Sequence, residues 1–117
     1  MKTRNFTRVK YSVEASIRYD NNEVTCCTDN LSIHGMYLKT EFDLPLNTPV
    51  SVTIYKSNQL SFLVNAQIIR KGVNGVGLQI NDLSVNSFAL LRDMVSEKCK
   101  DQAKVINETL SMLKCIH

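Results

Sequence analysis

Two arginines, Arg4 and Arg8, stand four residues apart near the N-terminus, and Asn30, Ser32 and Gly35 follow further on at the spacing NxSxxG. A guanidinium is a planar fork that makes two parallel hydrogen bonds to one pair of acceptors, and it also lies flat on an aromatic face, which lysine cannot do. At a spacing of four on a flexible segment, both arginines can fold over a single ligand. Asn30 offers a carbonyl acceptor and an amide donor. Ser32 offers a hydroxyl to ligand or turn, and Gly35 allows close backbone approach or a positive φ. The second group also reads as an Asx/Ser turn ended by glycine, a reading that leaves the arginine pair unexplained.

The charge around these residues is local. The 117 residues carry 14 Lys and Arg against 11 Asp and Glu, a net of +3. Lys2, Arg4, Arg8 and Lys10 supply four positive charges before the first acid, Glu14, so the rest of the chain is near neutral. A small cationic arm on a neutral body suits a compact anionic ligand; duplex DNA needs several spread phosphate contacts, and no DNA partner is expected. A basic terminus that only aids solubility, with Lys2 and Lys10 as solvated charge, is the plainer alternative. Binding of single-stranded nucleic acid would want aromatic rings spread over one sheet face, and several of the four Phe and four Tyr fall in inward-facing series.

Other chemistries find no residues to carry them. Cys26 and Cys27 are adjacent, so on a strand their thiols point to opposite faces. Cys99, Cys115 and His117 lie near the end without CxxC or HxxxH spacing, and no metal or other cofactor is expected. GxSxG, HExxH and a glycine-rich phosphate loop are all absent, so the chain reads as a non-enzyme. No apolar run reaches the ~18 residues of a membrane span, and the N-terminus lacks a signal-peptide core. The expectation is a cytoplasmic protein without membrane insertion.

The elements that must position the two polar groups follow from periodicity. Tyr11, Val13, Ala15, Ile17 and Tyr19 alternate with polar residues, the mark of a half-buried strand, and Asp20-Asn21-Asn22 turns the chain. Val24, Cys26 and Thr28 continue in a second strand, residues 29–35 break the ladder, and residues 36–39 resume it. The two prolines of residues 44–49 require a loop. Val50, Val52 and Ile54, then Leu60, Phe62, Val64, Ala66 and Ile68, give two further strands. A glycine-rich hairpin at residues 71–75 leads into the last one, residues 76–80. About six short strands with tight connections favour an antiparallel barrel, a mainly β fold.

The last third has a helical period through Phe88, Leu91, Val95, Cys99, Ile106, Leu110 and Leu113, with Ser84 or Ser87 as N-cap. No proline or glycine follows Gly77, so one long helix from about Val85 is expected. Thirty helical residues span ~45 Å, more than a barrel this small can cover. The first half should pack on the barrel, and the remainder should bend back, fray or pair with another chain. The organisation is a single domain: an arm at 1–10, a barrel at 11–82 and a C-terminal helix at 83–117.

With RxxxR before the first strand, NxSxxG after the second and a C-terminal helix, the sequence resembles the PilZ domain family of bacterial cyclic di-GMP receptors. The similarity continues through Gly75-Val76-Gly77-Leu78-Gln79-Ile80, which looks like the family's final strand, and it covers residues 1–98. The resemblance implies a six-stranded antiparallel β-barrel with a long C-terminal α-helix. It further implies that Arg4 and Arg8 clamp the guanines and phosphates of cyclic di-GMP while the flexible arm orders on binding. Asn30 stands where the family has Asp or Asn, with Ser32 and Gly35 completing the motif. Thr3, Asn5, His34 and Gly77 are secondary positions; the residue before the first arginine, here Thr3, is linked in the family to binding of one ligand or an intercalated pair. His34 is expected at the surface.

The resemblance implies a stand-alone receptor that relays its signal to an unidentified effector protein in motility or biofilm regulation. The C-terminal helix is a candidate homodimer contact. The alternative is a nucleotide-independent adaptor working through that helix, as in family members that lack the motifs.

Overall fold

Alternating apolar positions build seven strands among residues 7–117, the part of the chain that the computed structural model describes: β1 (Val9–Lys10), β2 (Glu14–Tyr19), β3 (Asn22–Leu31), β4 (Gly35–Lys39), β5 (Pro49–Ser57), β6 (Leu60–Lys71) and β7 (Gly75–Leu83). All pairings between them are antiparallel. The order β3-β2-β5-β6-β7-β4 closes on itself through β3–β4, giving the expected six-stranded barrel, and β1 is an extra strand laid on β3. Inward side chains such as Ile17, Leu38, Val52, Ile54, Val64 and Ile68 are fully buried. Closure leaves the six ring strands without a free edge, which protects them from pairing with other chains.

Strict alternation fails at two places that matter later. On β3 the inward series Val24, Cys26, Thr28 would continue to Asn30, but a register shift between Thr28 and Asn30 adds Asp29 as an extra residue. Leu31 then faces the core and Asn30 the outside. On β6 the buried series Phe62, Val64, Ala66, Ile68 would continue to Arg70, and a second shift between Ile68 and Arg70 sends Arg70 outward instead. A β-bulge changes phase in this way because side chains repeat every two residues, so one added residue moves all that follow to the other face.

The helical region differs from a single rod over 83–117. Helix α1 (Val85–Lys98) starts at Ser84, whose hydroxyl accepts from Ser87 N at 3.0 Å, and it buries Phe88, Leu91, Met94 and Val95. It packs against β6 and β1. The chain leaves the helix at Cys99, where Gln102 Nε2 reaches back to the carbonyls of Ser96 and Cys99, both at 2.9 Å. Asp101 caps a second helix, α2 (Gln102–Leu110), which folds back on α1. A 3-10 turn at Leu113–Cys115 follows, and His117 N donates to Leu83 O at 2.9 Å. The break resets the helical phase: Val105 and Met112 are buried, whereas Ile106, Leu110 and Leu113 are 64%, 67% and 59% exposed.

The N-terminal segment also departs from expectation. Residues 7–10 are docked on the body because Val9, paired with Leu31, is an apolar residue that gains by burial. Beyond it, Thr28, fully buried, accepts from Val13 N at 2.9 Å and donates its hydroxyl to Tyr11 O. Tyr11 Oη donates to Glu97 Oε1 on α1 at 2.6 Å, and Lys56 Nζ lies 3.1 Å from Glu97 Oε2. These two contacts hold the Glu97 carboxyl below its ordinary pKa. Burial, and then the bond to Glu97, push the Tyr11 phenol up to about 12.

Two outcomes follow from this packing. Met112→Ala should cost about 2–4 kcal/mol in a denaturant titration, while Leu110→Ala should stay within about 0.5 kcal/mol; one unbroken helix with Leu110 on its buried stripe would reverse that order. The Tyr11–Glu97 contribution has its sign set by the two shifts. Glu97, with its pKa lowered, contributes above the unfolded value of about 4.3 and loses this as pH falls. Tyr11, with its pKa raised, contributes below about 10 and loses this as pH rises. The stability difference between wild type and Tyr11→Phe, measured by urea unfolding, should therefore be flat near neutrality and shrink on both sides.

Candidate functional site

The placement of Arg8 follows from its neighbour. With Val9 turned into the core, alternation puts Arg8 and Lys10 on the outer barrel face, and Lys10 lies opposite Asn30 on β3. Arg8 Nη1 donates to Asn30 Oδ1 at 2.7 Å, so one residue from each polar group of the sequence meets at the surface. The Asn30 carbonyl retains a second lone pair, and its amide adds a donor beside the guanidinium. Among the described residues no carboxylate pairs with Arg8, while Lys10 and Lys39 share Asp29 at 3.6 and 3.7 Å. Thr3, Arg4 and Asn5 lie outside the described residues.

Ser32 and Gly35 shape the site from below. Ser32 is fully buried; its hydroxyl accepts from His34 N at 3.2 Å and Gly35 N at 3.0 Å and donates to Gly35 O at 3.1 Å. Of the two roles open to that hydroxyl, it therefore takes the turn. Gly35 does not have a positive φ; it permits close approach, since a Cβ there would run into the Leu78 carbonyl across the β4–β7 pairing. His34 is half-buried rather than exposed, and its carbonyl accepts from Ile80 N at 2.9 Å. The turn thus fixes where β4 begins, and with it the register of everything opposite Asn30.

That register creates a row that sequence reasoning missed. Asn30 pairs with Tyr37 on β4, Tyr37 with Gly77 on β7, and Gly77 with Arg70 on β6. Residues directly opposite one another share a face, so all four lie on the outside of the barrel. Arg70 Cζ sits 5.5 Å from the centroid of the Tyr37 ring, and Tyr37 Oη lies 3.4 Å from Asn74 Oδ1. Gly77 had a sequence signal, its place in the glycine-rich last strand. Tyr37 and Arg70 had none, because their alignment depends on bulges that leave no fixed residue signature.

Arg8 is also flanked by a long-range contact. Thr7 donates its backbone N–H and its hydroxyl to the Glu108 carboxylate on α2, at 2.9 Å and 2.6 Å to Oε2. The residue next to the candidate ligand arginine is therefore fastened to the second helix, 101 positions away in sequence. No local pattern announces such a pair. An open cleft beside it is lined by Lys10, Tyr11, Asp29, Lys39, Glu97 and Lys98.

Comparison with known proteins agrees with the barrel fold. The crystal structure of the PilZ domain of CeSA, from a cellulose-synthesizing bacterium, superposes with a TM-score of 0.63 at 19% identity, covering 77% of this chain and 95% of that one. The Bacillus subtilis inhibitor of motility, MotI/DgrA, gives 0.66 at 13% identity over 83% of this chain, which spans about half (51%) of that protein. At such identities the likeness concerns the fold. A comparison with curated proteins finds no match. The sequence pattern of the PilZ domain matches residues 2–97, most of the chain, from the arm that carries Arg8 to the end of α1, and on that match the chain belongs to the PilZ domain family of cyclic di-GMP receptors.

Proposed function

We propose that the protein is a non-catalytic receptor that binds cyclic di-GMP on the outer barrel face around Arg8 and Asn30 and passes the signal to a partner protein. The observation that carries this reading is the 2.7 Å bond between Arg8 and Asn30, which joins the two motifs at one surface point. Guanine presents O6 and N7 to a guanidinium fork, and its N1–H and N2–H edge suits an amide carbonyl. The ligand's two phosphates match the cationic arm, with Arg4 as the second clamp. Ser32 and Gly35 support the reading as the turn that aims Asn30. Thr3, Asn5, His34 and Gly77 remain secondary contacts of the same site.

The relay would run through the arm. Arg8 can close on a ligand only if its neighbours shift with it, and Thr7 is held by Glu108. A ligand that prefers the closed arm would thereby bias the position of α2. Motility or exopolysaccharide output is the process such a receptor would serve, since MotI/DgrA is an inhibitor of motility.

The alternative is a nucleotide-independent adaptor, favoured by the exposed Ile106, Leu110 and Leu113 on and after α2. That face would dock an effector or a second copy of the chain. Because truncation would also remove the buried Val105 and Met112, Ile106→Asp with Leu110→Asp is the cleaner test: loss of effector function with nucleotide binding intact favours the adaptor face.

Calorimetry should give micromolar or tighter binding of cyclic di-GMP, weakened by Arg8→Ala or Asn30→Ala by about 1–3 kcal/mol each. Undetectable binding at high ligand concentration would sink the receptor reading. Hydrogen exchange on α2 should change on ligand addition in the wild type and respond much less in Glu108→Ala. An equal response in that variant rules out the arm as the route.

A further inference from the structure

The hairpin between β6 and β7 carries a reactive pair that the receptor reading does not use. Of the eleven asparagines in the chain, Asn74 alone precedes a glycine. The fold demands that glycine, because a Cβ at Gly75 would run into the Leu38 carbonyl where β7 pairs with β4. With no side chain at residue 75, nothing shields the Gly75 nitrogen from the side chain before it. The hairpin leaves the pair free to react. Val73 and Asn74 are exposed at its tip. The Asn74 carbonyl accepts from Thr40 N at 3.1 Å, so the trans peptide that follows turns the Gly75 N–H away from β4. On that side the pair of bonds that would close a tight turn is half made. Gly72 N donates to Gly75 O at 2.8 Å, and among the described residues no bond returns from Gly75 N to Gly72 O. The Asn74 side chain is loosely held as well: Tyr37 Oη reaches its Oδ1 only at 3.4 Å, and its amide nitrogen has no hydrogen-bond partner among the described residues.

We propose that Asn74 is a self-modification site, at which the chain converts its own side-chain amide into a carboxylate with water as co-reactant. The Gly75 nitrogen attacks Asn74 Cγ. A new C–N bond forms, the side-chain nitrogen leaves as ammonia together with the Gly75 proton, and residues 74 and 75 are joined in a five-membered succinimide. Water then opens the ring at one of its two carbonyls. Cleavage between nitrogen and Cγ gives aspartate; cleavage between nitrogen and the main-chain carbonyl carbon gives isoaspartate, whose chain runs on through Cβ and Cγ. Nothing is oxidised or reduced. Either product adds one negative charge at the end of the barrel, where Lys71 pairs with Asp43. Isoaspartate also lengthens the main chain at the residue whose carbonyl holds Thr40, and so loosens the hairpin from the loop that follows β4.

The test is peptide mapping by mass spectrometry on the folded full chain aged in neutral and in mildly alkaline buffer. The same chain unfolded in guanidinium chloride and folded Asn74→Gln are aged beside it. Tryptic cleavage after Lys71 and Arg92 gives one fragment holding Asn74, Asn81 and Asn86, so two asparagines serve as internal references. The folded chain should acquire the mass gain of an amide-to-acid change at Asn74 several-fold faster than at Asn81 or Asn86. The product should be a mixture of aspartate and isoaspartate, formed faster as pH rises because the deprotonated amide nitrogen is the nucleophile. Asn74→Gln, whose extra methylene demands a six-membered ring, should age without this gain while keeping the wild-type melt in circular dichroism; an equal gain there overturns the proposal. If Asn74 converts in guanidinium chloride but not in the folded chain, the hairpin protects it and the proposal is wrong. Conversion no faster than at Asn81 and Asn86 removes any role for Gly75, and conversion to aspartate alone means direct hydrolysis by water; either result overturns it.

Discussion

A strand that closes a barrel is given its outward face by its inward one: side chains alternate, and the core claims every second position. The outer face around Asn30 exists because this rule is interrupted. Were Asp29 not bulged out of β3, Asn30 would point into a core lined by Leu38 and Ile68, where an unpaired amide costs free energy, and Arg8 would have no partner on the surface. The same interruption on β6 frees Arg70. The apolar core and the polar face are therefore set by one device, and neither can be altered at these strands without the other.

Around that face the chain is held from three directions. Val9 packs into the core, Arg8 reaches across to β3, and Thr7 and Tyr11 are bonded to Glu108 and Glu97 on the two helices. The arm is thus a strap between barrel and helices, with the cationic residue in the middle of it. Single surface contacts of this kind are individually weak. Their arrangement in series matters more, because the four residues fall within the five positions from Thr7 to Tyr11 and touch the barrel and both helices.

Much of the barrel was legible in the sequence because alternation is a local signal: the inward series of Ala15 and Ile17, of Val50 to Ile54 and of Phe62 to Ile68 lie where their period puts them. The site was legible through its arginine and asparagine, whose spacing carries the family resemblance. Long-range geometry was not. A bulge at Asp29 or Ile69 has no obligatory residue, so the Tyr37–Arg70 contact could not be read from spacing. The helix break lacked the expected proline or glycine; it is made by Asp101 as an N-cap and Gln102 folding back on the preceding carbonyls. An aspartate at that point is the signal that sequence reading passed over, and the change of phase from Ile106 to Val105 follows from it.

The bond between Thr7 and Glu108 has a consequence for synthesis of the chain. Its two ends are separated by 101 positions, whereas the hairpins β5–β6 and β6–β7 pair neighbours in sequence. At ~5–20 residues per second, roughly 5–20 s pass on the ribosome between the two. Throughout that interval the barrel strands can assemble while the cationic arm has no helix to hold it. The outer face around Asn30 is thus formed before its fastening, which comes only when α2 emerges.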